Sequence, residues 1–225
     1  GMMTASRTAV VMDKVDLSSV VSQIGTLNEQ RAIGESQPLN AGLKDLKMFT
    51  VDENYFIWEF YDVVVSELSQ SSVLGVVAVA VIALLFIPHW TAPLFVAPIV
   101  CILYIDILGF IQLMGLHMNS VTYISMVMSI GLVVDYVMHV VIKYYESPQS
   151  TREDKVRHTL ETMGASVLVG GLSTMLGIIP LFFGASKIFG DVCVVFVGLV
   201  LFGVTHGLAL LPAILSLVGP LVHIH

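Results

Sequence analysis

The stretch "MNSVTYISMVMSIGLVVDYVMHVV", residues 118–141, is an apolar run long enough to cross a membrane as one helix, because such a helix needs about 20 mainly apolar residues. Within the run stand a carboxylate, Asp135, and an imidazole, His139. Residues four apart share one face of a helix, so Gly131, Asp135 and His139 form a line along it. The stretch therefore predicts a membrane-spanning helix with ionisable groups on one face.

The whole chain has the composition of a membrane protein. It is 56% hydrophobic and 12% charged, whereas about a quarter of the residues in a soluble domain are charged. The breaks "IPHWTAP", "GLHMNS" and "GASKIFGD" separate apolar segments, and their Pro and Gly residues are typical of turns. We predict a mainly α, polytopic membrane helical bundle over 71–221, with a tail at 222–225. Its five predicted transmembrane helices are 71–88, 92–116, 119–144, 164–185 and 190–217.

The amino-terminal part is polar. Residues 1–70 hold ten of the 17 acidic residues, and we predict that 1–53 form a small extracytoplasmic α+β unit. Within it, "TASRTAVVMD" (4–13) is β-rich, and Asp16 is expected to cap a following helix. The aromatic-rich residues 54–70 contain no Pro or Gly. They predict a helix that enters the membrane through an aromatic belt, or else a surface helix.

The loop at 145–163 sets the expected orientation. Lys and Arg are in excess in short cytoplasmic loops, and this loop with its flank carries four of the five Lys and Arg residues that follow residue 70. We therefore place the loop in the cytoplasm and, counting back through three spans, residues 1–70 on the non-cytoplasmic side.

Four ionisable groups are the candidate functional residues. A charged Asp near the bilayer centre costs about 2.5–3.5 kcal/mol, and such groups usually mark ion or substrate pathways. Asp135, Asp106 and His206 fall near the middle of their predicted spans, so we expect them at a common level, with His206 as the partner of Asp135. His139 either belongs to this site or stands at its cytoplasmic mouth. We predict that Asp135, His206, His139 and Asp106 form a proton or cation relay.

Small and hydroxyl residues are expected to pack helices together at this site. Gly131 would let a neighbouring helix approach closely, and Ser173, Thr174 and Gly177 in the fourth span recur at helical spacing. Such residues are common at helix contacts in membranes, where they also donate hydrogen bonds. They serve either as ordinary packing or as ligand contacts.

Other classes of function find little support. The net charge of -7 and the absence of a basic run argue against nucleic-acid binding. An Asp and two His could ligate a metal, but no Cys or further His joins them and there is no HExxH pattern. No Ser lies in a Gly-flanked elbow. The sequence therefore predicts no catalytic residue, no metal site, no cofactor and no enzyme activity.

Three stretches carry a resemblance to a known family. They are "MNSVTYISMVMSIGLVVDYVMHVV", "GASVLVGGLSTMLGIIPLFFGASKIF" and "THGLALLPAILSLVGP", in that order along the chain. In these the chain resembles the Patched, Dispatched and Niemann-Pick type C group of the RND (resistance-nodulation-division) permease superfamily. The resemblance implies that Asp135 matches the acid of the GxxxD motif, a proposed proton or cation site, with His139 and His206 near it.

The same resemblance implies an architecture and a function. The five spans would be the second half of a twelve-helix transporter, whose missing amino-terminal half is then a partner. The first residue is Gly1 rather than Met, and we expect the chain to be part of a longer protein. The expected function is sterol or lipid transport driven by a proton or sodium ion through Asp135, in the plasma membrane or an endosomal, lysosomal or vacuolar membrane. The alternative is a sterol-responsive receptor or sensor without net transport.

Overall fold

All regular elements in the described part of the chain are helices. The computed structural model describes residues 8–9, 12, 15–42 and 47–222. The helices are α1 (Val20–Glu35), α2 (Pro38–Gly42), α3 (Tyr55–Phe86), α4 (Ala92–Leu113), α5 (Ser120–Glu146), α6 (Arg152–Thr159), α7 (Ala165–Phe182), α8 (Lys187–Thr205) and α9 (Leu211–Val218). Two π-helical segments, π1 (Leu160–Gly164) and π2 (His206–Leu210), join α6 to α7 and α8 to α9.

Five continuous helices of the described residues are long and apolar enough to cross a membrane. They are Tyr55–Phe86, Ala92–Leu113, Ser120–Glu146, Arg152–Phe182 and Lys187–Val218. This confirms the predicted α-helical polytopic bundle. The first of them is longer than the predicted span because the aromatic segment and the apolar segment form one unbroken helix.

The chain divides into two compact units, residues 1–67 and 68–225. In the first unit the predicted β-rich stretch 4–13 lies mostly outside the described residues, and its described members Thr8, Ala9 and Met12 are not in a strand. The expected cap of α1 is wrong. Ser19 caps this helix by accepting from the Ser22 amide, whereas Asp16 accepts hydrogen bonds from the Ser18 hydroxyl and amide. Those two bonds hold the pKa of Asp16 below its usual value.

Packing inside the first unit joins α1 to the beginning of α3. Leu27 and Trp58 are buried, and Arg31 Nη2 lies 3.0 Å from Glu59 Oε1. Asn40 donates to the carbonyls of Gly34 and Met48 and accepts from the Met48 amide. These contacts describe a small folded unit made from helices.

In the second unit α5 and α8 form the centre of the bundle. The two helices pack against each other, α4 packs against both, and α7 packs against α8. Their facing side chains are mostly branched aliphatic residues and tyrosines. Fully buried members of this core include Ile99, Leu103, Ile107, Met126, Tyr144, Tyr145, Leu199, Leu211 and Leu215.

The turn between α4 and α5 is built from local capping interactions. The Leu116 amide donates to Ile111 O and the Gly115 amide to Gln112 O, which is the Schellman pattern at a helix end. Gly115 has φ +68 there. Asn119 then caps α5 in a reciprocal capping box with Thr122. Backbone groups at the end of α4 and at the start of α5 therefore find hydrogen-bond partners within the turn itself.

Gly115→Ala is expected to destabilise the bundle through the backbone alone. The left-handed conformation costs a residue with a Cβ about 1–2 kcal/mol, and a Cβ at Gly115 would meet no atom within 4 Å. We expect thermal unfolding in detergent to give a Tm lower by about 2–4 °C for each kcal/mol lost. Gly115→Asn is the control, because Asn tolerates this conformation better. Equal losses in both variants would contradict the backbone explanation.

Cations of α6 hold the end of α9. Arg152 Nε donates to Gly219 O over 2.7 Å, and the buried Lys155 donates from Nζ to Val222 O over 2.7 Å. The Lys155 ammonium also lies 5.3 Å from the centre of the Tyr144 ring. Carbonyls at and beyond a helix C-terminus lack partners within the helix, so these side chains satisfy them and fix the chain after α9.

Candidate functional site

The first candidate group lies on an open face of α5. Asp135 and His139 project from this helix with side chains that are 81% and 60% exposed within the chain, and Asp135 Oδ1 is 3.8 Å from His139 Nε2. That distance is too long for a hydrogen bond. A Cβ at Gly131, on the same face, would meet no described atom within 4 Å. The close helix approach expected at Gly131 is therefore not made by the described part of this chain.

The second candidate group joins two helices. His206, the first residue of π2, places Nε2 3.0 Å from Asp106 Oδ2 of α4, and its side chain is only 12% exposed. His206 Nδ1 lies 2.8 Å from Phe202 O, one turn earlier. The structure thus pairs His206 with Asp106 and not with Asp135. The expected partner was wrong because depth in the membrane does not fix the direction in which a side chain points.

The small residues of α7 have different surroundings. Ser173 and Gly177 are exposed, and a Cβ at Gly177 would meet nothing within 4 Å among the described atoms. Thr174 donates to Gly170 O and accepts from Tyr136 Oη over 3.4 Å. Thr174 therefore contacts α5 next to Asp135.

Tyr136, which follows Asp135, is a residue that the sequence interpretation missed. Its ring is buried against Gly203, where a Cβ would come within 2.8 Å of Tyr136 Cδ2. Its carbonyl oxygen lies 3.0 Å from the place of a Cβ on Gly207. Gly203 and Gly207 have the GxxxG spacing of close helix contacts, and this spacing in "GVTHG" was the signal that could have located the contact.

Tyr136 therefore connects the two ionisable groups physically. It stands beside Asp135 in α5, and it packs on the glycines that lie three residues before and one residue after His206. Both glycines allow the α5 backbone or ring to approach where a larger residue would not fit. A shift of α5 at Asp135 would therefore press directly on the segment that carries His206.

The ionisable residues of the described part of the chain do not form a metal-binding cluster. Among the residues that the structure describes, no three His, Cys, Asp or Glu side chains come together as possible ligands. What the geometry offers is two separate acid–histidine pairs within apolar helices. Such pairs can bind and release protons or cations.

Five apolar membrane-length helices among the described residues are the feature of a polytopic membrane protein, and comparison with known proteins identifies the family. The model of the AcrB/AcrD/AcrF family matches residues 19–219. The chain is 32% identical over 202 residues to NPC intracellular cholesterol transporter 1 homolog 1b of Drosophila melanogaster, covering 86% of this chain and 16% of that protein.

Two further relatives extend the match. NPC intracellular cholesterol transporter 1 of Sus scrofa is 29% identical over 88% of this chain and 16% of its own length. Protein patched homolog 1 of Caenorhabditis elegans is 29% identical over 74% of this chain and 12% of its own length. The chain belongs to the Patched and Niemann-Pick type C group of the RND permeases, and it is a multi-pass integral membrane protein. It spans no more than about one sixth of the length of these relatives.

Proposed function

We propose that the chain is the carboxy-terminal membrane half of a sterol or lipid transporter in which Asp135 binds and releases the coupling ion. The observation that carries this proposal is the position of Asp135, 81% exposed on α5 inside a membrane-length helix. A carboxylate facing lipid there would be costly, and such groups normally face the interior of a bundle or a cavity. The open face of α5 therefore fits a surface that a second helical half covers.

The exposed small residues nearby agree with such a covered surface. Gly131, Ser173 and Gly177 leave room for another helix to approach closely, as contacts between membrane helices require. Transporters built from two repeats carry their ion sites near the midplane at the repeat interface. The partner we propose for this face is the amino-terminal half of the same protein.

The substrate class comes from the relatives. Two of them are named as intracellular cholesterol transporters, so we propose a sterol or another hydrophobic lipid as the transported molecule. We further propose that residues 145–163, most of which form α6 and π1 rather than the expected loop, are cytoplasmic and that residues 1–70 are not, because basic residues are concentrated in 145–163. The membrane would be the plasma membrane or an endosomal, lysosomal or vacuolar membrane.

A reconstitution experiment tests this function. The full-length protein that contains this chain is placed in donor vesicles loaded with a fluorescent sterol, and transfer to acceptor vesicles is followed with a proton gradient, a sodium gradient or neither. We expect one of the two gradients to accelerate transfer and its dissipation to remove the acceleration. Sterol binding without gradient-dependent transfer would overturn the transporter proposal in favour of a receptor or sensor.

A further inference from the structure

The two ring nitrogens of His206 face different oxygen atoms. Nδ1 is 2.8 Å from Phe202 O, and a backbone carbonyl can only accept a hydrogen bond, so Nδ1 carries a proton and donates it. Nε2 is 3.0 Å from Asp106 Oδ2. With Nδ1 already protonated, a neutral imidazole would present a lone pair at Nε2, opposite a carboxylate that also has only lone pairs.

A further proton resolves this repulsion. It sits either on Nε2, giving an imidazolium beside a carboxylate, or on the Asp106 carboxyl, which then donates to Nε2. In both cases the contact between α4 and π2 contains one proton more than a neutral histidine and an ionised aspartate supply. The arrangement differs from Asp135 and His139, whose 3.8 Å separation imposes no such condition.

The neighbouring helices offer no other charge to stabilise the pair. Asp106 is the one charged residue in α4, and α7 and α9 contain no titratable side chain. On α8, Asp191 lies about four turns and Lys187 about five turns before His206. On α5, Asp135 and His139 lie on the open face, and the carbonyl of Tyr136 packs against Gly207 of π2.

We propose that Asp106 and His206 form a second proton-binding site, a proton bridge that holds spans two and five together. The bridge stands independently of the proposed function. Its consequence for transport does rest on that function. A change at Asp135 would act through Tyr136 on the contact between Asp106 and His206. Proton binding at one site would therefore alter the proton affinity of the other.

Magnetic resonance on the full-length protein in lipid nanodiscs tests the bridge. The protein is labelled with ¹⁵N-histidine, and the His206 signals are assigned by their loss in His206→Gln. At neutral pH we expect both nitrogens of His206 to carry protons, or else an infrared band of a protonated carboxyl that disappears in Asp106→Asn. In Asp106→Asn the amide can donate to Nε2, so His206 is expected to be neutral with its proton on Nδ1.

The control and the contrary results are equally specific. Asp191→Asn removes a carboxylate from the same long helix and should leave the His206 signals unchanged. A neutral His206 beside an ionised Asp106 in the unaltered protein would overturn the bridge, as would an imidazolium that persists in Asp106→Asn. These spectra are read at individual atoms, so they do not depend on transport activity.

The link to Asp135 is tested in the same samples. Asp135→Asn is expected to shift the ring-nitrogen signals of His206, and Tyr136→Leu in that background is expected to abolish the shift. No response of His206 to Asp135→Asn would overturn the link. If His206 is protonated but sterol transfer is unaltered in Asp135→Asn, the bridge stands and the proposed function is wrong. If His206 is neutral beside an ionised Asp106 but Asp135→Asn abolishes gradient-driven transfer, the bridge is wrong and the proposed function stands.

Discussion

Asp135→Asn is expected to abolish the gradient-driven part of sterol transfer while leaving the protein folded. The amide has the shape of the carboxyl but cannot bind and release a proton or carry charge. A gradient of one pH unit corresponds to 1.36 kcal/mol per proton, enough to drive about a tenfold concentration ratio of a substrate moved with one proton. We expect this ratio to fall to one in the variant, measured in vesicles with an imposed gradient.

Two control variants define what this result means. Asp135→Glu keeps a carboxylate and should retain gradient dependence, although with a changed rate. Asp191→Asn removes another carboxylate of the bundle and should leave the concentration ratio unchanged. Gradient-driven transfer that survives in Asp135→Asn would show that another group couples the ion to the substrate.

Gly203→Ala is expected to destabilise the bundle, whereas the same substitution at Gly190, also in α8, is expected to stabilise it. A Cβ at Gly203 would come within 2.8 Å of the buried Tyr136 ring, and a Cβ at Gly190 would meet nothing within 4 Å. Overpacking of this kind costs about 1–3 kcal/mol. An unhindered Gly to Ala change in a helix gains up to about 1 kcal/mol.

Thermal unfolding in detergent measures both variants against the unaltered chain. We expect Tm changes of opposite sign, because the intrinsic gain of a helical Ala is common to the two sites and only Gly203 adds a clash. A second clash is available as a comparison, since a Cβ at Gly198 would clash with the Phe110 ring. Equal Tm values for the Gly203 and Gly190 variants would mean that the Tyr136 ring moves aside at no cost.

The five membrane-length helices could be predicted from the sequence because length and apolarity decide them. Pro88, Pro93 and the polar breaks ended the spans close to where the helices end in the structure. Residues 54–70 were expected to form a helix that leads into the first span, and α3 runs without a break from Tyr55 to Phe86. Ser19 replaced Asp16 as the cap of α1 because several residues near a helix start can serve equally well.

The sequence indicated which ionisable groups lie within the predicted spans, but it did not indicate how these groups pair. Asp106 and His206 were expected at a common depth, and the structure brings them together. The error was to join His206 to Asp135, which requires knowledge of how each helix is rotated about its axis. That rotation depends on packing, and here Tyr136 of α5 packs against Gly203 and Gly207, a contact that the positions of the charged residues do not reveal.

The π-helical turn at His206–Leu210 acts as a one-residue insertion in an otherwise regular helix. Each residue of an α-helix advances the side chains by about 100° around the axis, so removing the extra residue would turn everything beyond it by that amount. Either His206 would swing away from Asp106, or the buried Leu211 and Leu215 would swing away from the core. The π-helical turn therefore sets how the end of the last span is rotated relative to its beginning. It allows one continuous helix to place His206 against Asp106 in its middle and to bury Leu211 and Leu215 near its end.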